Sequence, residues 1–391
     1  MMNRLLRQGF VLLFFLCWLT GYTQRRLTPE QTGGIYYAYP VVDAPRIDVP
    51  QGLKVFYISH YGRHGSRWVT EYSRYKWTLG HFKDESNLTE LGLDVKRRLV
   101  RITRHAHHNA GQLTALGAEQ HRQIARRMAE NYPEVFAEGA DVTAQSSTVR
   151  RCRRSMEAFC GELRSLYSSM KIPMSSKKKQ MAYISYDSPE LTALRRRTKS
   201  QPTINTDRFL SSLFINPSVV KNPPQFLYEF HSIASDMQDV QMGETLWDAL
   251  TYEEMMSVHD SNNERMTICH GIDERNDNIP ARSAISLWKH IESEAERYIR
   301  EDKHGASLIF GHDTPLFRLL SLLRLSLPGT GMEDIIPMAA NLQIIFMKDA
   351  SDNIFVSFLH NEKQQSLPIP SAYPFIYCWE DVKHHVGRLY D

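Results

Sequence analysis

One imidazole and two guanidiniums stand close together in the sequence, at Arg63, His64 and Arg67. An apolar run at residues 54–59 precedes them and predicts a β-strand, and the glycines on either side of the histidine predict a turn. Two guanidiniums beside one imidazole suit an anion with two negative charges, such as a phosphate ester. A solvated basic turn would explain the same residues, so this interpretation needs support from the rest of the chain.

A second predicted strand, at residues 141–145, ends in a polar Ser-Ser-Thr turn, and a helix is expected over residues 149–170. The first turns of that helix contain Arg150, Arg151, Arg153 and Arg154. The helix macrodipole disfavours cations at this end, and a bound anion would explain their presence. The alternative, which we favour for three of these four arginines, is that they face solvent.

A third predicted strand, residues 306–310, leads to His312 and Asp313 and then to an apolar helix over residues 316–325. Ligand sites of α/β sheets collect at the carboxyl ends of strands, so we expect the three junctions to converge. The chemistry that these residue types allow is phosphoryl transfer. One histidine attacks phosphorus, arginines and the other histidine bind the phosphate oxygens, and a carboxylic acid protonates the leaving alcohol.

The length, composition and net charge of the chain are those of an ordinary globular protein. The chain has 391 residues, of which 42% are hydrophobic and 23% charged, and its formal net charge of +3 indicates neither a nucleic-acid partner nor membrane binding. The length allows a core domain with a second lobe. Positive charge is concentrated between residues 148 and 199, which is either a solvated face or an attraction for polyanionic substrates.

The N-terminus predicts export. Arg4 and Arg7 precede an apolar run at residues 10–19 that is too short to span a bilayer, and small and polar residues follow it. This pattern is typical of a secretory signal peptide, residues 1–23. A lipid anchor on Cys17 is the alternative, although two phenylalanines stand where small residues would be expected. The mature protein is expected to be periplasmic or secreted, without stable insertion in a membrane.

Cysteines and clustered histidines do not predict a metal site. Four cysteines remain after the signal peptide, and four allow three disulfide connectivities between which the sequence does not choose. Their spacings match no zinc motif. A histidine-rich break at residues 104–111 could bind a metal, but a surface loop explains it at least as well. We therefore expect neither a metal nor another cofactor.

The remaining segments are assigned from periodicity and turn residues. Residues 24–50 lack a clear period and predict an extended surface segment. Helices are expected at residues 88–102, 118–128, 207–214, 225–237, 246–257, 281–300 and 379–390, and a hairpin at residues 341–347 and 354–359. We interpret residues 24–170 and 291–391 as an α/β core and residues 171–290 as an inserted helical lobe.

Together these motifs resemble branch two of the histidine phosphatase superfamily, the histidine acid phosphatases and phytases. The family's Arg-His-Gly-x-Arg and His-Asp motifs match residues 63–67 and 312–313. Residues 113–117 resemble its Leu-Thr-x-x-Gly turn. The segment from Arg151 to Phe159 resembles the one that carries the third phosphate-binding arginine, most closely in the multiple inositol polyphosphate phosphatases. The likeness covers most of residues 50–390.

The resemblance implies an α/β fold, namely a three-layer core like that of phosphoglycerate mutase with an inserted helical cap domain. It also implies catalysis without a metal and without any other cofactor. The roles it implies are nucleophile for His64, phosphate binding for Arg63, Arg67, Arg151 and His312, and proton donor for Asp313.

Three departures from the family pattern affect substrate choice. Val69, after Trp68, replaces the usual proline beside the leaving-group pocket, and Val149 replaces an aspartate. The His-Asp-Thr donor motif is typical of acid phosphatases, whereas the Arg151 segment is typical of the inositol polyphosphate enzymes. An inositol phosphate such as phytate is the favoured substrate, and a general or sugar-phosphate acid phosphatase is the alternative. A non-catalytic phospholigand-binding protein of the same fold is the rival, and the oligomeric state stays open.

Overall fold

The computed structural model describes residues 26–199, 201–325 and 336–388. The predicted signal peptide, with Cys17, lies outside these residues, as do the last two residues of the predicted C-terminal helix. Among the described helices, none is long and apolar enough to cross a membrane.

The described residues form one mixed sheet of eight strands in the order β3-β2-β4-β1-β5-β6-β7, with β8 paired to β6. The strands are β1 Lys54–Arg63, β2 Asp141–Ser146, β3 Met174–Ser175, β4 Gly305–Gly311, β5 Asn341–Lys348, β6 Ile354–His360, β7 Lys363–Gln365 and β8 Tyr377–Cys378. Strands β1 to β4 pair in parallel, and β5 to β8 are added by antiparallel pairing. The carboxyl ends of β1, β2 and β4 therefore lie along one edge of the sheet.

Helices cover both faces of this sheet. The α-helices are α1 Tyr72–Gly80, α2 Glu90–Asn109, α3 Ala115–Asn131, α4 Arg150–Leu166, α5 Met181–Ile184, α6 Pro189–Arg197, α7 Asp207–Leu213, α8 Pro223–Val240, α9 Tyr252–His270, α10 Ile279–Ser283, α11 Ile285–Arg300, α12 Asp313–Leu323 and α13 Trp379–Gly387. One face packs against α3 and α4, and the other against α11, α12 and α13. The core is therefore three layers deep.

Strand β1 lies in the middle of the sheet, and it is apolar on both faces for that reason. Tyr57 and Tyr61 point into the layer that contains α11 and α12, whereas Ile58 points toward α3 and α4. The strand continues four residues beyond the predicted end at residue 59, because it pairs with β4 on one side and β5 on the other. Arg63 is consequently its last residue, and the turn begins at His64.

A separate apolar cluster holds the helical lobe together. It is built from α1, α2, α7, α8 and α9, and it includes Trp68 and Val69 from the segment after β1. Helices on both sides of residue 171 thus share one core, while β3 joins the sheet from within residues 171–290. The boundaries at residues 170 and 291 stay a prediction.

The predicted break at residues 104–111 is wrong, because helix α2 continues through Asn109. Ala106 extends the buried stripe of Val95, Leu99 and Ile102 by one more turn, so the helix still gains apolar contacts there. The histidines of this stretch lie on the exposed face of the last turns. Gly111, with a φ of 70°, is where the chain turns.

The N-terminal segment is not simply extended on the surface as predicted. Residues 31–36 form a 3₁₀ helix, most of which is buried. Thr32 accounts for part of this burial, because its Oγ1 lies 3.1 Å from Nε2 of His231 in the helical lobe. Polar and aromatic side chains hold the segment in place without any periodicity that the sequence could reveal.

Helix α9 begins six residues later than expected and extends thirteen residues further than the predicted end at residue 257. Thr251 caps its first turn, and Glu254 completes a capping box with the backbone of Thr251.

All four described cysteines are free thiols: Cys152, Cys160 and Cys269 are buried, and Cys378 is half-buried.

Candidate active site

The three predicted junctions meet at one edge of the sheet. Arg63 stands opposite Gly311, and Ser146 stands opposite Phe310, so the three strands end at nearly the same level. The amide of His64 donates to the carbonyl oxygen of Gly311 at 3.0 Å. All six residues predicted for the site therefore lie at or shortly after strand ends that are hydrogen-bonded to one another.

His64 is buried, and its ring is held in one orientation. Its Nδ1 lies 3.0 Å from the carbonyl oxygen of Gly65, which can only accept a hydrogen bond. In the neutral ring Nδ1 must therefore carry the proton, and Nε2 carries the lone pair. Burial lowers the pKa of His64 well below its usual value, and the positive charges of Arg151, Arg63 and Arg67 lower it further. The imidazole is thus neutral, with an unprotonated Nε2.

Arg63 is the most deeply buried charge of the site. One guanidinium nitrogen donates to the carbonyl oxygen of Ile336 at 2.7 Å, and another lies 3.1 Å from a carboxylate oxygen of Asp313. Burial lowers the pKa of Arg63 to about 10, although Asp313 opposes that shift. Nε and the terminal nitrogen that faces Asp313 are buried without a hydrogen bond, so this guanidinium still has donors to offer to an anion.

Arg67 and Arg151 approach the same point from two different elements. The guanidinium of Arg67 lies 5.1 Å from the ring centre of Tyr36 and donates to the carbonyl oxygen of Trp68 at 3.0 Å. Arg151, the second residue of α4, is half-buried, and its Nε is buried without a hydrogen-bond partner. Burial lowers the pKa of Arg151, and repulsion by Arg67 adds to that effect. The two guanidiniums are therefore near enough for their charges to repel each other.

His312 and Asp313 close the site from the third strand end. The ring of His312 lies 5.7 Å from that of His64, centre to centre, and its Nε2 is 3.2 Å from Oγ of Ser147. Burial and the charge of Arg151 lower its pKa to about 4. Asp313 is the first residue of α12, and one carboxylate oxygen accepts from the amide of Thr314 at 2.8 Å.

The turn that carries His64 is packed tightly against the start of α3. A Cβ on Gly65 would lie 2.3 Å from the carbonyl oxygen of Gly117, and a Cβ on Gly117 would lie 2.2 Å from that of Ser66. Neither position therefore accepts a side chain without a shift of backbone. Thr114 donates to the carbonyl oxygen of Ser66 from its amide and its hydroxyl, at 2.9 and 3.0 Å. These contacts explain the glycine and threonine of the Leu-Thr-x-x-Gly turn.

Sequence reasoning missed two buried carboxylates behind this turn. Asp239 Oδ1 accepts from Oγ of Ser66 at 2.5 Å, and Asp236 Oδ2 accepts from the amide of Val69 at 2.9 Å and from the hydroxyl of Tyr75 at 2.9 Å. Both aspartates lie on α8, one turn apart, among buried apolar residues. That pattern is the signal that could have found them, because a buried acidic pair needs partners.

The same contacts explain why Val69 replaces the proline usual in the family. The amide of Val69 donates to both Asp236 and the Tyr75 hydroxyl, and a proline has no amide proton. The side chain of Val69 is fully buried, and that of Trp68 nearly so. With valine at this position, the backbone amide anchors the turn to Tyr75 and Asp236, which a proline could not do.

The acidic pair also affects the charge of the site. Burial raises the pKa of Asp239 well above its usual value, and repulsion by Asp236 adds to the shift. Burial likewise raises the pKa of Asp236, while the positive charge of Arg67 opposes the rise. Two adjacent carboxyl groups of this kind tend to share one proton, which leaves about one negative charge behind the arginines.

Among the described residues, no group of three or more His, Cys, Asp or Glu side chains could hold a metal ion. The histidine-rich end of α2 brings His107 Nδ1 within 3.0 Å of His108 Nε2, but no carboxylate or thiol joins them there.

A scan of the sequence against models of protein families gives no match, and a search of curated proteins gives none either. Solved structures do match. The multiple inositol polyphosphate phosphatase of Bifidobacterium longum, in its complex with inositol hexasulfate, has a TM-score of 0.74 and 14% identity, and the match covers 91% of this chain and 97% of that chain.

Two phytases give a similar result. The phytase of D. castellii has a TM-score of 0.67 and 13% identity over 92% of this chain and 85% of that one. The phytase of Klebsiella sp ASR1 has a TM-score of 0.56 and 11% identity over 86% of this chain and 96% of that one. The chain therefore has the fold of the inositol polyphosphate phosphatases and phytases. This confirms the fold class that the sequence motifs implied.

The anchoring role of Asp239 can be measured. In Asp239→Ala the Ser66 hydroxyl loses its acceptor, and the turn that positions His64 becomes looser. We expect kcat for an aryl phosphate to fall roughly 10- to 100-fold, the effect of a misplacement of about 1 Å. Asp239→Asn keeps an acceptor oxygen and should restore most of the loss. Equal kcat values for the alanine variant and the wild type would contradict this role.

The raised pKa of Asp239 also predicts how stability changes with pH. The unfolded chain releases this proton near the ordinary aspartate pKa of about 3.9, whereas the folded chain keeps it to a higher pH. Since the folded state binds more protons in that interval, its free energy of unfolding must fall as pH rises through it. Asp239→Asn cannot titrate, so urea unfolding should show the wild type losing stability relative to the variant as pH rises above about 4. Replacement of the exposed Asp48 by Asn is the control, and parallel curves for wild type and Asp239→Asn would refute the prediction.

Proposed function

We propose that the protein is a phosphatase that hydrolyses phosphate monoesters through a phosphohistidine at Nε2 of His64. The observation that carries this proposal is the state of that ring: it is buried and neutral, its Nδ1 proton is bound to the Gly65 carbonyl, and arginines surround it. A neutral imidazole with a free Nε2 lone pair is a nucleophile, and guanidiniums bind the phosphate it attacks. A solvated basic turn would have neither burial nor a fixed ring.

In the first step Nε2 of His64 attacks phosphorus, and the bond from phosphorus to the ester oxygen breaks. Arg63, Arg67, Arg151 and His312 bind the three non-bridging oxygens and stabilise the charge that spreads over them in the transition state. The carboxylic acid of Asp313 gives its proton to the departing oxygen, so the leaving group departs as an alcohol.

In the second step water attacks the phosphohistidine. The Asp313 carboxylate takes a proton from that water, a new bond from oxygen to phosphorus forms, and the bond from phosphorus to Nε2 breaks. Inorganic phosphate leaves, His64 is again neutral, and Asp313 is again protonated. Water and ester are consumed and alcohol and phosphate are formed, so the cycle needs no metal or redox partner.

The charge state of Asp313 must change when the substrate binds. In the free protein Arg63, His312 and Arg67 outweigh the effect of burial, which by itself would raise the pKa, and hold the pKa of Asp313 at about 2. A phosphate group would bind the Arg63 donors that now face this carboxylate and would place negative charge beside it. Both changes raise its pKa, so Asp313 becomes a usable acid in the complex. Activity in acidic solution is the expected consequence.

Inositol phosphates, phytate among them, are the substrates we favour. The support is the excess of positive charge over residues 148–199 and the Arg151 segment, and neighbours in fold are an inositol polyphosphate phosphatase and phytases. A general or sugar-phosphate acid phosphatase is the alternative, and the His-Asp-Thr motif favours it. The signal-like N-terminus supports activity outside the cytoplasm.

The central test is His64→Ala. Without the imidazole the phosphoenzyme cannot form, so we expect turnover of an aryl phosphate to fall roughly 10³-fold or more. Wild-type protein that is denatured in alkali after exposure to labelled substrate should retain a phosphoryl group that acid then releases, and the variant should contain none. Substantial turnover in the variant would remove the nucleophile assignment, and an inactive wild type would favour a protein that only binds phospholigands.

The acid role of Asp313 predicts a dependence on the leaving group. Asp313→Asn should lower kcat for an alkyl phosphate by roughly 10²- to 10⁴-fold, because an alkoxide leaves poorly without a proton. For 4-nitrophenyl phosphate, whose leaving group is stable as an anion, the loss in the first step should be far smaller, within about tenfold in burst kinetics. Equal losses for the two substrates would contradict the assignment.

A further inference from the structure

Helices α3 and α4 leave an open cleft of about 420 Å³ between their first turns. Its wall carries four guanidiniums, those of Arg122, Arg150, Arg151 and Arg154, and one carboxylate, that of Glu157. The sequence alone favoured a solvent-facing position for three of the four arginines at the start of α4. Arg150 and Arg154 are indeed exposed, but they point into the same cleft as Arg151.

Small side chains keep this cleft open. Ala115 and Ala118 precede Arg122 on one face of α3, and Ala158 lies on the facing wall. Longer side chains at these positions would fill the space between the two helices. The result is a groove lined by small side chains and by arginines, which suits a compact anion better than an apolar ligand.

The cleft adjoins the site that contains His64. Arg151 belongs to both, because it lines the cleft and its charge lowers the pKa of His64. The floor also includes Gln112 and Thr114, which are bound to the turn that carries the nucleophile. The Gln112 carbonyl accepts from the amide of Trp68 at 3.1 Å, and the amide of Thr114 donates to Ser66 at 2.9 Å. A molecule held in the cleft would thus contact Arg151 and residues that are hydrogen-bonded to the turn of His64.

The arginines of the cleft lack strong partners. Arg154 lies 4.0 Å from Glu157, and Arg122 lies 2.8 Å from Glu119, and both are exposed pairs of the kind that contribute little. For Arg150 the described part of the chain provides neither a hydrogen bond nor an ion pair. Arg150 and Arg154 stand one turn apart at a helix N-terminus, where like charges repel and the macrodipole disfavours them. An anion between them would offset both effects.

We propose that Arg122, Arg150 and Arg154 form a second anion subsite, which binds a phosphate group of the substrate that is not being hydrolysed. The ligand class is a small molecule with two or more phosphate groups, one at His64 and another in the cleft. This inference rests on the proposed phosphatase function and adds to it the residues that would distinguish a polyphosphorylated substrate from a simple monoester.

Arg153 provides a matched control, because it belongs to the same turn of α4 and is exposed but does not line the cleft. The double variant Arg150→Gln/Arg154→Gln is compared with Arg153→Gln, with phytate and 4-nitrophenyl phosphate as substrates. In the double variant we expect kcat/KM for phytate to fall at least about tenfold more than that for 4-nitrophenyl phosphate, the loss of one or two charge-assisted hydrogen bonds. In Arg153→Gln the ratio of the two values should stay within about twofold of the wild type.

Two kinetic outcomes would overturn the subsite. One is an unchanged substrate ratio in the double variant, and the other is an equal fall in Arg153→Gln, which would indicate a general effect of positive charge. A third measurement separates the subsite from the reaction: calorimetric binding of inositol hexasulfate to His64→Ala, with and without the two glutamines. Weaker binding with them supports the subsite even if the wild type hydrolyses neither substrate, in which case the proposed function fails alone. Equal binding refutes the subsite.

Discussion

The structure of the site depends on burying several cationic groups around one pocket. Arg63 is fully buried, Arg67 is nearly so, and Arg151 is half-buried beside them. Moving one ion out of water costs several kcal/mol, and like charges add repulsion to that cost. Three features offset it in this chain: both histidines are neutral, Asp313 pairs with Arg63, and an acidic pair stands behind the turn. Those features lower the free-energy cost of keeping several guanidiniums inside a folded core.

This constraint explains why elements distant in sequence must meet. The strand ends supply the arginines and histidines, because parallel strands place their carboxyl ends at one edge. The compensating carboxylates come from α8, which belongs to the apolar cluster of the helical lobe. Docking of the lobe therefore has an electrostatic role in addition to a structural one: it brings Asp236 and Asp239 to the back of the turn that carries His64. The lobe thus contributes to the candidate site from behind the turn, through these two carboxyl groups.

Much of this arrangement could be predicted because its signals are local. Strands β1, β2 and β4 are apolar runs that end in polar turns, and the rule for parallel sheets places their ends together. The partners of the acidic pair could not be predicted, because nothing near Asp236 in the sequence indicates that Val69 and Tyr75, more than 150 residues earlier, would donate to it. The end of α2 was predicted as a loop since its histidines masked one more buried alanine in the apolar stripe.

The prediction about substrate choice shows most clearly what a local sequence pattern cannot reveal. The sequence predicted that Trp68 and Val69 affect substrate choice, since the proline usual in the histidine acid phosphatases is missing there. In the structure both side chains face the interior, and the amide of Val69 is used to anchor the turn to α8. A residue that is fully buried cannot select a leaving group by direct contact. Under the function proposed above, selection falls to surfaces that remain open beside the pocket, and the cleft between α3 and α4, which Arg151 lines, is such a surface. The replacement of the proline and the arginines of α4 thus act at different places, the first at the anchor of the turn that carries His64 and the second in the open cleft.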